Sequence, residues 1–155
     1  MYRPDGIDAD FRVEKVNDDG NNPNNPSDAV NPGIQYAAAM SYPTRLTFYG
    51  ISGDTEWDRD GLPIVTDMYL EWFGIIFEDQ YPPPTISISY GKPEQNLLIA
   101  YARSLCVLYA RLGARGVTLF VASGLDGVGA GECLNSRRRV QFMPEFPSSC
   151  MCGVL

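Results

Sequence analysis

The sequence contains no histidine in its 155 residues. That absence excludes the Ser-His-Asp triad, the Cys-His dyad and every zinc site built on imidazole. No apolar run approaches the roughly 20 residues that a membrane-spanning helix needs. The opening residues, Met1 to Gly6, hold no apolar stretch of the kind found in a signal peptide. Cysteines at metal-ligand spacing are also missing. The four are Cys106, Cys133, Cys150 and Cys152, and Cys150-x-Cys152 has no second cluster to complete it. The glycosylation pattern at Asn25-Pro26-Ser27 is spoiled by its proline. Positive charge is scarce: 12 Lys and Arg stand against 19 Asp and Glu, a formal net charge of −7. This argues against a nucleic acid or an anionic membrane held by bulk charge. The one basic run, Arg137 to Arg139, has no interleaved aromatic and reads as a solvated loop.

The 155 residues are enough for one domain and not two, and the 45% of them that are apolar suffice for a packed core. The segment Phe11 to Val16 alternates apolar and polar residues and predicts a strand. Asn17 to Asn31 is dense in Asn, Asp, Pro and Gly and reads as a loop. A short helix is expected over Ile34 to Met40, ended by Pro43, and then a strand over Leu46 to Tyr49. Gly50 to Gly61 is an acidic loop carrying Trp57, read as a loop anchor with a binding aromatic as the alternative. Apolar residues at helical spacing predict a helix from Val65 to Phe77, with Thr66 as its N-cap. Thr85 to Tyr90 predicts a strand. Glu94 to Leu112 predicts the longest helix, with Leu98, Tyr101, Leu105, Leu108 and Leu112 on one stripe and Gly113 as its C′ residue. Gly116 to Ala122 reads as a strand buried on both faces. The order strand, helix, strand, helix, strand gives an α/β fold, a parallel sheet flanked by helices. In such sheets ligands gather at the carboxyl ends of the strands. Cys106 sits in an apolar run and reads as a free, buried thiol. Cys133 and Cys150 flank a loop and are the expected disulfide in an exported protein.

At the strand ends the chain resembles the sedolisins, or serine-carboxyl peptidases, and within them the fungal tripeptidyl-peptidase-like members. The matching text includes Gln35-Tyr36, Ser41-Tyr42-Pro43-Thr44, Tyr69-Leu70-Glu71-Trp72 and Thr85 to Gly91. It continues through Gly113 to Val117, Ala122-Ser123-Gly124, Gly127-Val128-Gly129 and Phe146-Pro147-Ser148-Ser149-Cys150. The resemblance implies a partial subtilisin-like fold over residues 1–155, one domain truncated at both ends. It implies a chemistry in which a glutamate replaces the triad histidine, so the lack of histidine is no objection. A serine attacks the peptide carbonyl, the glutamate takes its proton, one aspartate orients the glutamate and a second stabilises the oxyanion.

Aligned on Asn31, Gln35 and Tyr36, Ala29 stands where that glutamate belongs and Gly33 where its aspartate belongs. Asp28 is one residue, about 100° of helix, out of place, and Pro32 disfavours a regular helix there. Leu125 takes the place of the oxyanion aspartate, with Asp126 beside it as a turn residue. The family's serine segment and calcium site would lie beyond Leu155. No catalytic residue, metal or cofactor is therefore expected in this chain. The expected substrate groove is formed by Ser89, Tyr90 and Gly91 with Ala122, Ser123 and Gly124, whose backbones would pair with a peptide. Two ordinary strand ends with glycine stops are the competing reading. The implied partner is a peptide or protein substrate, with no nucleic acid or membrane, and with self-association through exposed sheet edges. By the resemblance the protein is secreted. Three readings stay open: a degenerate, inactive peptidase fragment, a non-catalytic peptide-binding protein that reuses the groove, and a piece of an active secreted peptidase.

Overall fold

The computed structural model describes residues 4–6, 9–17, 30–52, 68–129, 134 and 137–150. Contacts divide the chain into two compact units, Met1–Asp54 and Thr55–Leu155.

In the first unit, strand β1 (Phe11–Val16) pairs in parallel with β2 (Leu46–Ile51), from Phe11 opposite Leu46 to Val16 opposite Ile51. Between them lies helix α1 (Val30–Ser41). This helix starts four residues before the expected Ile34. Pro32 falls in its first turn, where the backbone N–H has no intrahelical partner and the fixed φ of proline suits the helix. The Asn31 side chain accepts a hydrogen bond from Gln35 one turn on, at 3.0 Å. Past Val16 the strand is closed by Ser52, whose N–H donates to the Val16 carbonyl at 3.1 Å.

In the second unit, β3 (Thr85–Ile88) and β5 (Thr118–Val121) are parallel, and the crossover between them carries α3 (Ile99–Ala114). Helix α2 (Met68–Glu78) precedes β3, and a two-residue antiparallel pair joins β4 (Lys92–Pro93) to β6 (Glu145–Phe146). The core is made by Phe73 and Ile76 of α2, Leu105, Tyr109 and Leu112 of α3, and Phe146, all at most 2% exposed. Phe73 and Tyr109 meet edge to face at 4.8 Å, a favoured aromatic arrangement. Burial pushes the Tyr109 hydroxyl well above its ordinary pKa, with Tyr69 and Tyr101 adding to the effect. Ile86 and its register partner Leu119 are buried on one face of the pair, whereas Thr118 and Phe120 are exposed on the other. β5 therefore alternates rather than being buried on both faces, because among the described residues only one face is covered.

The helix ends also differ from expectation. Residues 94–96 form a 3₁₀ turn and α3 begins only at Ile99, with Leu98 at the N-cap and 46% exposed. Tyr109, not Leu108, completes the buried stripe. Gly113 lies inside the helix. The residue in the left-handed region is Gly116, at φ +85°, and Val117 N–H reaches back to the Leu112 carbonyl at 3.2 Å. That six-to-one bond is the Schellman ending, which requires the glycine one residue after the cap. The cap residue itself, Arg115, donates to the carbonyls of Ile76, Phe77 and Asp79 at 3.3, 3.4 and 2.7 Å. It thereby satisfies the free carbonyls at the end of α2. Val65, Thr66 and Trp57 lie outside the described residues.

The cysteine expectation is overturned. Cys106 is not a free thiol: it is bonded to Cys150, with Cα atoms 5.3 Å apart. Cys106 follows Leu105, so it sits on the flank of the buried stripe, and the turn after β6 brings Cys150 to that flank. Cys150 therefore does not pair with Cys133, which lies outside the described residues.

Candidate functional site

The most distinctive geometry lies where β3 and β5 end together. The two strands stay in register to Ile88 and Val121, and Ala122 N–H donates to the Ile88 carbonyl at 3.0 Å. Past that rung both leave the strand conformation. Ser89 and Tyr90 are exposed on one side, Ala122, Ser123 and Gly124 on the other, and Gly91 is half-buried. All six predicted groove residues thus lie at the carboxyl edge of one parallel pair, where α/β sheets hold their ligands. The Tyr90 ring is anchored edge to face on buried Tyr69, at 6.2 Å.

A residue the sequence reading missed lies between the two segments. The Cγ of Glu145 is 3.0 Å from where a Cβ on Gly91 would stand, and its Cγ and Cδ are 3.5 Å from where a Cβ on Gly124 would stand. The same glutamate therefore abuts both segments and fills the fork between them. Two glycines are needed there: Gly91 faces the Phe146 carbonyl at 2.9 Å from the same Cβ position, and Gly124 has φ +84°. The backbone carrying Glu145 is clamped. It pairs with Pro93 in the β4–β6 ladder, and Glu94 N–H donates to the Pro144 carbonyl at 2.9 Å. The Glu145 carbonyl accepts from Ser149 N–H at 2.9 Å and from the Ser148 hydroxyl at 2.6 Å.

The carboxyl group itself is less well served. Its Oε2 is buried and has no hydrogen-bond partner among the described residues. Its pKa is raised above the ordinary carboxylate value, first by burial and then by the nearby charge of Asp126. The signal that could have pointed here is the pair of glycine stops at the ends of neighbouring strands. They leave a space that a third segment must fill, but nothing in the sequence says which.

The positions that the resemblance assigns to the family's acidic groups are occupied by Ala29, Gly33 and Leu125. Leu125 is fully exposed, and Asp126 beside it is exposed in the loop. Gly33 lies on the exposed side of α1, with open space where a Cβ would be. Ala29 and Asp28 lie outside the described residues. Among the described residues no group of three or more acidic or cysteine side chains could hold a metal ion, and no helix is long and apolar enough to cross a membrane. A cleft lined by Phe77, Arg111, Ala114 and Arg115 lies where α3 feeds into β5, away from the fork. Its arginines serve packing: Arg111 lies 4.6 Å over the Phe77 ring.

No protein-family profile matches the chain. It is 31% identical to the tripeptidyl-peptidase SED3 of Arthroderma otae and 32% identical to the tripeptidyl-peptidase SED4 of the same organism, each over 97% of the chain. The chain is related to the fungal tripeptidyl-peptidases. A further relative, the tripeptidyl-peptidase SED2 of Arthroderma otae, is 27% identical over 80% of the chain. The chain spans about a quarter of the length of these relatives: 27%, 26% and 22% respectively. The tripeptidyl-peptidase likeness read from the strand-end motifs is thus shown across nearly the whole sequence.

Proposed function

We propose that this chain is a diverged part of a tripeptidyl-peptidase-like domain that keeps a peptide-binding fork and has no peptidase activity of its own. The observation that carries this reading is the fork. Two adjacent segments, Ser89 to Gly91 and Ala122 to Gly124, all exposed but for half-buried Gly91, leave one parallel strand pair side by side. An extended peptide can add to such backbone edges through main-chain hydrogen bonds, with its side chains reaching between them. Loss of activity is supported by Ala29, Gly33 and Leu125 at the positions of the family's carboxylic acids. That argument is independent of whatever sequence lies outside these 155 residues. The Cys106–Cys150 bond supports a secreted protein, since such bonds persist in oxidising compartments.

The fork is tested by titrating short alanine-rich peptides into the folded protein and following backbone amide shifts by NMR. Binding is expected to be weak, with Kd on the order of 0.1–1 mM, because little area is buried and the peptide is ordered on binding. Shifts should concentrate at residues 89–91 and 122–124. Gly124→Val should abolish them, since φ +84° is strained for a branched side chain. A folded protein that shows no shifts at any peptide concentration would refute the fork.

We also propose that the protein self-associates. Among the described residues each parallel pair has only two strands, and Phe120 is 47% exposed on the outer face of β5. Unpaired edges and open apolar faces favour association. The sedimentation coefficient should rise with protein concentration, and a concentration-independent monomer would refute this.

A further inference from the structure

We propose that the cleft lined by Phe77, Arg111, Ala114 and Arg115 binds a small organic anion, a carboxylate or phosphate head carried on an apolar body. The cleft lies beside the amino end of β5, away from the fork, and this inference is independent of the peptide-binding reading. Its volume is about 390 Å³, within the range of small-molecule sites. Both guanidinium groups are placed in advance. That of Arg111 stands 4.6 Å over the Phe77 ring centroid and that of Arg115 stands 5.9 Å from it. Arg115 is also tied to the carbonyls of Ile76, Phe77 and Asp79. A guanidinium carries five N–H donors, so Arg115 keeps donors to spare. The Arg111 guanidinium has no acceptor or carboxylate partner among the described residues. Two helices end here, and their carbonyls would repel an anion if left bare. Arg115 takes those of α2, and the N–H groups of Arg115, Gly116 and Val117 take those of Arg111, Leu112 and Gly113. No carboxylate comes from α3: from Gln95 to Leu125 the sequence has no Asp or Glu, but it has Arg103, Arg111 and Arg115. In a chain of net charge −7 the cleft is thus a local positive site. Of the acids that end α2, the Asp79 carboxylate accepts from Tyr81 N–H at 2.8 Å, and Glu78 makes no ion pair among the described residues. The planar arginine fork matches the paired oxygens of a carboxylate or phosphate. Phe77 and Ala114 form an apolar wall that a bare ion would leave wet and an organic body would cover.

The test titrates the whole 155-residue protein, followed by backbone amide NMR, with benzoate, its neutral isostere benzamide, phenyl phosphate and inorganic phosphate. Benzoate should bind with Kd on the order of 1 mM, and benzamide about tenfold more weakly, because only the anion uses both guanidinium groups. Phenyl phosphate should bind as well, and the tighter of the two anions identifies the head group. Inorganic phosphate should bind about fivefold more weakly than phenyl phosphate, since it leaves the apolar wall uncovered. Shifts should centre on Phe77, Arg111 and residues 114–116. Arg111→Gln should weaken benzoate about tenfold and leave benzamide unchanged. Arg103→Gln removes the same charge from the same helix outside the cleft, and should change neither by more than about twofold. The comparison of benzoate with benzamide needs no variant, so a folding defect in Arg111→Gln would not rescue the proposal. Equal binding of benzoate and benzamide would overturn it. So would benzoate binding that survives Arg111→Gln or falls equally in Arg103→Gln. Inorganic phosphate binding as tightly as phenyl phosphate would overturn the organic ligand, leaving a site for a bare ion only. Absence of shifts around the cleft with every probe would remove the site altogether.

Discussion

Incubated with tripeptide amides or with denatured protein between about pH 3 and pH 7, the chain is expected to release no product above the buffer blank. The groups that would move the proton and hold the oxyanion are absent from the matching positions. Gly33 has no side chain, and Leu125 projects its apolar side chain fully into solvent. In hydrolases whose catalytic groups act as a unit, losing the nucleophile or its base alone costs on the order of 10⁶ in kcat, about as much as losing all of them, and losing the orienting aspartate alone costs on the order of 10⁴. Leu125→Asp by itself should therefore restore nothing, because Ala29 stands where the glutamate that activates the nucleophile would be. Neither Asp126 nor Glu145 should act as a substitute. Asp126 is exposed in its loop, and Glu145 is held by the β4–β6 pair with Oε2 buried. Liquid chromatography of the digest is the measurement. Turnover that disappears when Asp126 or Glu145 is replaced would show that the chain had built a different active site.

The sequence is a good guide to which elements exist and a poor guide to where they stop. β1 spans the expected Phe11–Val16: apolar and polar residues alternate from Phe11 to Glu14, and a run rich in Asn, Asp and Pro follows at once in the sequence. The periodicity of α3 is equally clear, yet its start moved from Glu94 to Ile99 and its C′ glycine from Gly113 to Gly116. Either glycine satisfies a sequence rule for a C′ residue. The choice is made by packing, since Leu112 and Val117 must both be buried and the Schellman turn must close between them. Pro32 illustrates the reverse error: a proline that breaks a helix interior is accommodated in a first turn, and only the position of Val30 decides which case applies. The groove segments were legible because they are strand ends, a local property. Glu145 and the Cys106–Cys150 bond were not, because each depends on the return of a segment more than 40 residues further along the chain than Gly91 or Cys106.

That returning segment is where the largest stability effect is expected. Replacing Cys106 and Cys150 together by alanine should destabilise the protein by about 4 kcal/mol, the chain-entropy value for freeing a loop of this length. The two residues are 44 apart in sequence. Domains of this kind have a total stability of about 5–15 kcal/mol, so the loss is a large fraction of the whole. It corresponds to a fall in Tm of roughly 10 °C. The reason for so large a dependence is structural. Apart from the bridge, the segment from Pro144 to Cys150 is held by a two-residue ladder, a few backbone bonds and the burial of Phe146. Once the bond is lost, that segment should open before the α2–α3 core does, because stability is distributed unevenly and short ladders sit at its low end. Amide exchange at residues 145–150 should therefore accelerate more than at Leu105 or Leu112. Urea unfolding with and without reductant gives the energy, and mass mapping of the non-reduced digest gives the pairing. An unchanged urea midpoint, or a fragment joining Cys150 to Cys133 or Cys152, would show that α3 is not tied to the end of β6.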